Sequence, residues 1–217
     1  MKLLLTSKGI ANKSIARSLR KLLGKPFSKS TLVFIPTAAN FSGEDKQWLI
    51  NDFNNIAKLG FKKINILNID ATPQENVWRP RLEEADVILV GGGNTFYLMR
   101  WLKKSGLAKA LPKLLKKRVY VGISAGSIVT GPSLSSLKLY YGKDESGQSD
   151  ESLKLVDFHF RSHFNSPHFP KARKGYLTKI AKQLKEPMYA MDDNSAVEVV
   201  DGKIKVVSEG KYLILNT

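Results

Sequence analysis

Short, continuously apolar runs alternate with amphipathic segments through the first half of the chain. Five of these runs predict buried strands, at Lys2–Thr6, Thr31–Ile35, Lys63–Leu67, Val87–Val90 and Val119–Ile123. The segments between them have the apolar spacing of helices, at Ile10–Leu23, Asp45–Leu59, Glu75–Glu84, Thr95–Lys104 and Leu107–Lys117. Apolar strands that alternate with helices are typical of a parallel sheet covered on both faces. The pattern therefore predicts an α/β fold with a doubly wound, mostly parallel sheet, whose functional groups lie at the carboxyl ends of the strands.

The second half of the chain is less regular. The segment Ser133–Ser152 is polar and rich in Ser, Gly and Lys, which predicts a long surface excursion. Leu155–Arg161 alternates as a half-buried strand does, and Ala172–Leu184 has the pattern of a basic amphipathic helix. Short strands follow at Ala196–Val200, Lys203–Val207 and Tyr212–Leu215, the first two joined as a C-terminal β-hairpin by Asp201-Gly202. With no repeat or linker, residues 1–217 are predicted to form a single domain.

Composition narrows the class of protein. A hydrophobic fraction of 42% is enough for a globular core, and the lack of cysteine excludes disulfides, a thiolate nucleophile and cysteine-bound zinc. The apolar run within Met1–Ser7 is shorter than the core of a signal peptide. No stretch approaches the roughly 20 apolar residues of a membrane span. We therefore expect a cytoplasmic protein that does not contact a membrane.

A formal net charge of +16 favours anionic partners. The lysines, however, are scattered over many predicted helices, and no segment mixes basic and aromatic residues as an RNA-binding module does. A solvated basic surface is therefore favoured over a nucleic-acid site. The sequence does not define the oligomeric state, for which a homodimer is one option.

A glycine-flanked serine follows the fifth predicted strand. The segment Gly122-Ile123-Ser124-Ala125-Gly126 fits the pattern G-x-S-x-G, in which a sharp strand-to-helix turn lifts a serine hydroxyl clear of the sheet. Side chains on the flanking glycines would collide across such a turn. The alternative is a tight turn whose serine only caps the helix. Because the motif lies between a strand and a helix, the nucleophile elbow is favoured and Ser124 is the candidate nucleophile.

A second glycine-rich segment, Gly91–Asn94, lies at the end of the fourth predicted strand. The N–H groups of such a segment can bind an anion, and acyl-transfer enzymes need two N–H donors for the oxyanion. We predict the N–H groups of Gly93 and Ala125 as these donors and Asn94 as a substrate-binding residue. The alternative, a nucleotide-phosphate loop, is disfavoured because the residues fit neither G-x-G-x-x-G nor the P-loop pattern.

A serine nucleophile needs a base, and all three histidines follow the elbow. His159 lies inside a predicted strand, which favours a structural role. His163 and His168 lie just past the end of that strand, in the segment SHFNSPHF, and both remain candidates for the base.

Three motifs together resemble the peptidase E family of serine peptidases: GGGNTF at Gly91–Phe96, GISAG at Gly122–Gly126 and a histidine-aromatic pair after a following strand. The similarity spans most of the chain. It implies a class I glutamine amidotransferase-like (flavodoxin-like) sheet, a relation to cyanophycinases and cleavage of short peptides. The family's serine maps onto Ser124, and its oxyanion donors map onto Gly93 and Ala125.

Two positions compete for the family's histidine, which sits in a proline-histidine-aromatic motif. His163 follows the strand at the family's spacing but is preceded by Ser162, whereas His168 keeps the proline and lies five residues further on. The resemblance favours His163 as the base, because the strand end fixes its geometry. His168 is left as the alternative base or as a substrate-binding residue.

The resemblance also implies an acid between the serine and the histidine, and here the chain departs from the family. The aligned stretch Leu139–Gly142 has no carboxylate, so Asp144 is predicted as the acid, with Glu145 as the alternative, unless a Ser–His dyad operates. The segment Asp192-Asp193-Asn194 also resembles a family segment, although its plainer interpretation is a turn between strands.

Together, these features predict a serine-type dipeptidase or peptidase that acts on a small peptide substrate and needs no cofactor or metal. The resemblance implies a preference for N-terminal aspartate, which suits a basic chain, but no arginine can be assigned to bind it. Two alternatives stay open. One is an esterase or amidase with the same site, and the other is a non-catalytic nucleotide- or RNA-binding protein.

Overall fold

A seven-stranded sheet forms the centre of the computed structural model, which describes residues 1–142 and 148–217. Its strands are β1 Lys2–Thr6, β2 Thr31–Ile35, β3 Lys63–Ile66, β4 Val87–Val90, β5 Val119–Ile123, β8 Ser195–Val200 and β9 Lys203–Ser208. Their spatial order is β3-β2-β4-β5-β1-β8-β9. The first five strands are parallel, whereas β8 runs antiparallel to β1 and β9 antiparallel to β8. Parallel pairing brings the carboxyl ends of β1, β4 and β5 to one edge of the sheet.

The helices cover both faces of this sheet. They are α1 Lys13–Leu23, α2 Gln47–Lys58, α3 Glu75–Glu84, α4 Thr95–Lys104, α5 Leu107–Leu114, α6 Ala125–Ile128, α7 Ser135–Tyr141 and α8 Lys174–Ala181, with 3₁₀ turns at Phe27–Lys29 and Thr37–Phe41. Alternate residues of each strand face opposite sides, so Leu4 and Phe34 pack with α1 and α2 on one face. Leu5 and Val33 pack with α3, α4 and α5 on the other. Burial on both faces explains the continuous apolar runs.

A second, smaller sheet packs beside the first. It comprises β6 His159–Arg161, β7 Met188–Met191 and β10 Tyr212–Leu215, in the order β10-β7-β6. β6 and β7 are parallel, whereas β7 and β10 are antiparallel. The sequence prediction was wrong on two points here, because it extended the strand of β6 back to Leu155 and did not include β7. Leu155 instead donates its N–H to the Thr130 carbonyl at 2.8 Å, outside any sheet.

The predicted surface excursion also needs correction. Within its described part, Ser135–Tyr141 forms α7 and buries Leu137 and Tyr140. The segment is therefore partly buried rather than wholly on the surface. Residues 143–147 of the excursion lie outside the described residues.

The predicted α/β architecture is confirmed: a mixed, mostly parallel sheet with helices on both faces. β8 and β9 form an antiparallel pair across Asp201-Gly202. The class I glutamine amidotransferase-like relation stays a prediction. Among the described residues, no helix is both long and apolar enough to cross a membrane.

Candidate active site

Ser124 occupies a sharp turn between β5 and α6. Its φ and ψ are 47° and −104°, a combination that costs energy for a residue with a side chain. A Cβ on Gly122 would lie 2.6 Å from the Ser127 nitrogen, and a Cβ on Gly126 would lie 2.1 Å from the Val90 carbonyl oxygen. Both flanking positions therefore require glycine. The Ser124 side chain makes no capping hydrogen bond to α6, so the alternative of a mere helix cap does not describe this turn.

The ring of His163 lies against this serine. His163 Nε2 is 3.1 Å from Ser124 Oγ, a hydrogen-bonding distance. The His163 backbone also has a positive φ of 61°, and its N–H donates to Ser7 Oγ at 3.2 Å. The next residue, Phe164, donates its N–H to the Met191 carbonyl at 2.9 Å. The ends of β1 and β7 thus hold the loop that carries the imidazole.

Phe169 fixes the plane of that imidazole from the same loop. The two rings stack with centroids 4.3 Å apart and planes within 6°. Arg173 supports the loop by donating to the carbonyls of Ser166 and Phe169, at 2.9 and 3.2 Å. The stacking therefore restricts the plane of the imidazole ring.

Asp193 completes a chain of three side chains. Its Oδ1 lies 2.7 Å from His163 Nδ1. Burial raises the pKa of the Asp193 carboxyl, but the hydrogen bond and charge of His163, with the charges of Lys8 and His168, together outweigh it, so the pKa lies below its ordinary value. The carboxylate therefore stays ionised beside the imidazole, where it favours a proton on Nδ1 and leaves Nε2 to face Ser124.

The turn between β7 and β8 explains why Asp193 points at the histidine. The neighbouring Asp192 accepts hydrogen bonds from the N–H groups of Asn194 and Lys211, at 3.0 and 2.5 Å, and from Ser195 Oγ at 2.6 Å. Asp192 thus stabilises the turn from within, while Asp193 is directed outward to His163. The turn interpretation of the segment holds for Asp192, and sequence reasoning missed the contact made by Asp193.

The Gly91–Gly93 loop borders the serine on another side. A Cβ on Gly92 would lie 3.5 Å from Ser124 Cβ and 3.8 Å from the Trp48 ring. Gly93 has a φ of +127°, and a Cβ there would lie 2.2 Å from the Ala38 carbonyl oxygen. No backbone or side-chain acceptor within residues 1–142 and 148–217 takes a hydrogen bond from the N–H of Gly93 or of Ala125. Both N–H groups are therefore unpaired among these residues, with Gly93 exposed and Ala125 buried.

The other predicted residues have different surroundings. Asn94 Oδ1 accepts from the Tyr97 N–H at 2.8 Å and so caps α4. His168 is exposed, and in the described structure Ser124 contacts His163 rather than His168. His159 is buried with its Nε2 3.5 Å from Glu186 Oε2, in keeping with a structural role, and burial lowers its pKa. The predicted acids Asp144 and Glu145 lie outside the described residues.

A second hydroxyl also reaches the serine. Ser162 Oγ lies 3.1 Å from Ser124 Oγ, and only 4% of Ser162 is exposed. Ser124 Oγ thus has two hydrogen-bonding neighbours, one nitrogen and one oxygen. Sequence reasoning treated Ser162 only as a departure from the family motif and did not foresee this contact. No group of three or more potential metal ligands occurs in the part of the chain that the structure describes.

Comparison with known proteins identifies the family of the chain. Residues 3–207 match the model of peptidase family S51. The uncharacterized peptidase Lin0382 of Listeria innocua is 29% identical over 178 residues, which cover 80% of this chain and 82% of the relative. Peptidase E of Escherichia coli O6:K15:H31 is 24% identical over 183 residues, covering 84% of this chain and 75% of the relative.

Solved structures share the fold. A crystal structure of a Listeria monocytogenes EGD-e protein, provisionally named peptidase E, superposes with a TM-score of 0.78 over 96% of this chain and 98% of the other, at 24% identity. A peptidase from an acI-B1 Actinobacterium superposes with a TM-score of 0.69 over 99% of this chain and 93% of the other. Since the family model covers nearly the whole chain, the protein belongs to peptidase family S51.

Proposed function

We propose that this chain is a serine peptidase that cleaves short peptides through an acyl-enzyme on Ser124. The observation that carries the proposal is the continuous hydrogen-bonded chain from Ser124 Oγ through His163 to Asp193, with distances of 3.1 and 2.7 Å. This is the order of nucleophile, base and orienting acid that acyl transfer requires. Membership of a peptidase family makes a peptide bond the appropriate substrate bond.

Acylation follows from these positions. Ser124 Oγ attacks the peptide carbonyl carbon while His163 Nε2 takes the hydroxyl proton, and Asp193 stabilises the resulting imidazolium through Nδ1–H. The imidazolium then gives its proton to the leaving amine as the C–N bond breaks. Water attacks the acyl-enzyme with His163 again as the base, and the C–Oγ bond breaks to restore Ser124.

The carbonyl oxygen becomes negatively charged during both steps. The N–H groups of Gly93 and Ala125 supply the two donors that such an oxyanion needs, and neither N–H has an acceptor among the described residues. Ala125 opens α6, so its N–H also lies at the positive end of a short helix. Close packing of Gly93 on Ala38 keeps the first donor in place.

Asp193 replaces Asp144 as the acid in this proposal. Its carboxylate contacts the base directly, whereas Asp144 and Glu145 lie outside the described residues. Asn94 and the exposed His168 stay candidates for substrate contacts, and a preference for N-terminal aspartate stays a hypothesis for the same site. The proposal needs no metal or organic cofactor.

Labelling by a fluorophosphonate tests the nucleophile. Wild-type protein should gain one phosphonyl group on Ser124, located by peptide mapping, and should lose peptidase activity in step with labelling. Ser124→Ala should not label, whereas Ser149→Ala, at an exposed serine that hydrogen-bonds to Glu151, should label as wild type does. Equal labelling of wild type and Ser124→Ala would refute the proposal.

The substrate class is tested separately. A panel of aspartyl dipeptides, neutral dipeptides and simple esters should show turnover of peptides that depends on Ser124. Turnover of esters alone would support the esterase alternative. Salt-dependent binding of nucleic acid without phosphonate labelling would support the non-catalytic alternative.

A further inference from the structure

The hydroxyl of Ser124 has one proton but two hydrogen-bonding neighbours. His163 Nε2 and Ser162 Oγ both lie 3.1 Å from Ser124 Oγ. A hydroxyl donates one hydrogen bond and accepts up to two, so the two contacts must share the donor and acceptor roles of Ser124. The way in which they are shared decides whether the nucleophile is ready to react.

The charge on Asp193 determines whether Ser124 donates or accepts in each of these two hydrogen bonds. Because the ionised carboxylate holds a proton on His163 Nδ1, the neutral imidazole presents Nε2 as an acceptor. Ser124 then donates its proton to Nε2. The remaining contact is satisfied only if Ser162 donates its own hydroxyl proton to Ser124 Oγ.

The surroundings of Ser162 favour this hydrogen bond to Ser124. It is 4% exposed, and its hydroxyl has no other hydrogen-bond partner among the described residues. A buried hydroxyl without a partner is costly, so the contact with Ser124 is the one that satisfies it. Its backbone is held between β6 and the anchored nitrogen of His163.

We propose that Ser162 is a positioning residue that donates a hydrogen bond to Ser124 Oγ and so holds the nucleophile's proton toward His163. This inference rests on the proposed function. The hydrogen bond fixes the Ser124 side chain in one rotamer and orients a lone pair away from the base, toward the substrate. Ser162 does not transfer its proton at any step.

The same contact acts again when the acyl-enzyme breaks down. As the C–Oγ bond breaks, its electron pair passes to Ser124 Oγ, which takes a proton from the His163 imidazolium. A hydrogen bond to an oxygen that gains negative charge is stronger than one to a neutral hydroxyl. Ser162 therefore assists both formation and release of the acyl group, and its removal should lower kcat more than it changes KM.

Two variants separate the hydroxyl from the rest of the side chain. In Ser162→Ala, kcat and the rate of phosphonate labelling should fall about ten-fold, while KM changes less than about two-fold, since one hydrogen bond to a reacting atom is lost. Ser162→Thr keeps a hydroxyl and should recover most of the rate. Ser166→Ala, a buried serine in the same loop, is the matched control and should keep wild-type kinetics.

Binding measured without chemistry excludes a merely structural role. Peptide affinity should be the same for Ser124→Ala and for the double variant Ser124→Ala/Ser162→Ala, because Ser162 acts through Ser124. A faster Ser162→Ala enzyme, an unchanged one, or a weaker peptide affinity in the double variant would overturn the inference. If Ser124→Ala itself keeps its activity, the proposed function fails instead, so the two failures are distinguishable.

Discussion

Replacing Asp52 by asparagine measures what the fold loses by burying a carboxyl group without a partner. Asp52 lies on α2 with 7% of its surface exposed. Its Oδ1 is 3.9 Å from the position that a Cβ would occupy if Gly9 carried a side chain. No hydrogen bond or ion pair from the described residues reaches this carboxyl. Burial raises the pKa of Asp52 to about 7, and the charge of Lys8 opposes the rise only in part.

The size of the effect follows from the two pKa values. Below the ordinary value of 3.8, the carboxyl is protonated in both the folded and the unfolded chain, and it has no effect on stability. As the pH rises from there to about 7, the unfolded chain ionises while the folded chain does not, so the free energy of unfolding decreases. At higher pH the loss is complete at ~4 kcal/mol, because each pKa unit corresponds to about 1.4 kcal/mol.

Urea unfolding of wild type and Asp52→Asn at several pH values measures this directly. Asparagine has the shape of a protonated aspartate and does not ionise, so the variant should be more stable than wild type. The advantage should grow by ~2.5 kcal/mol between about pH 5 and pH 8. The contribution of Asp193 is common to both proteins and cancels in the difference.

Asp157→Asn provides the control, because Asp157 is exposed. Its difference from wild type should stay nearly constant over the same pH range. If the Asp52→Asn advantage were equally constant, or if the variant were less stable at the alkaline end of the range, then burial would not be what determines the ionisation of Asp52. A less stable variant at the alkaline end would make this carboxyl an ionised group that stabilises the fold.

Three further substitutions test the site. His163→Ala should lower kcat by about 10²–10⁴ in a peptidase assay, as expected for loss of a general base. His168→Ala should keep most of the activity. A larger loss in His168→Ala than in His163→Ala would make His168 the base. Asp193→Asn should lower kcat by up to about 10⁴, and a larger loss in Asp144→Asn or Glu145→Gln would return the acid to the excursion. Gly93→Ala should lose labelling and stability together, because its Cβ would lie 2.2 Å from the Ala38 oxygen, whereas Gly175→Ala, with open space around it, should lose neither.

Two strands that are buried on both faces were predicted to the residue. Val87–Val90 is wholly buried, and all four of its residues are apolar, so the ends of the strand are clear from the sequence. The same holds for Val119–Ile123, which directly precedes the nucleophile. These two strands end at the glycine loop and at the elbow, so their ends, together with the G-x-S-x-G pattern, indicated Ser124 as the candidate nucleophile.

The excursion and the second sheet were harder to predict because their packing depends on distant parts of the chain. α7 is short and begins with two serines, so local preference argues for a loop, and only burial of Leu137 and Tyr140 against other elements makes it a helix. β7 reads Met-Tyr-Ala-Met and has no β-branched residue, so its sequence does not indicate a strand.

The failure to predict β7 explains why the sequence did not indicate that Asp193 lies beside His163. Asp193 lies 30 residues after His163 and becomes its neighbour because β6 and β7 pair in parallel, which brings the loops after both strands to the same end of the sheet. Without β7, nothing in the sequence connects the two loops, and the prediction of Asp144 or Glu145 followed from the family resemblance, which places the acid between the serine and the histidine. A carboxylate that follows a strand parallel to the histidine's own strand is therefore the signal to look for, and recognising it requires the strand pairing before the residue.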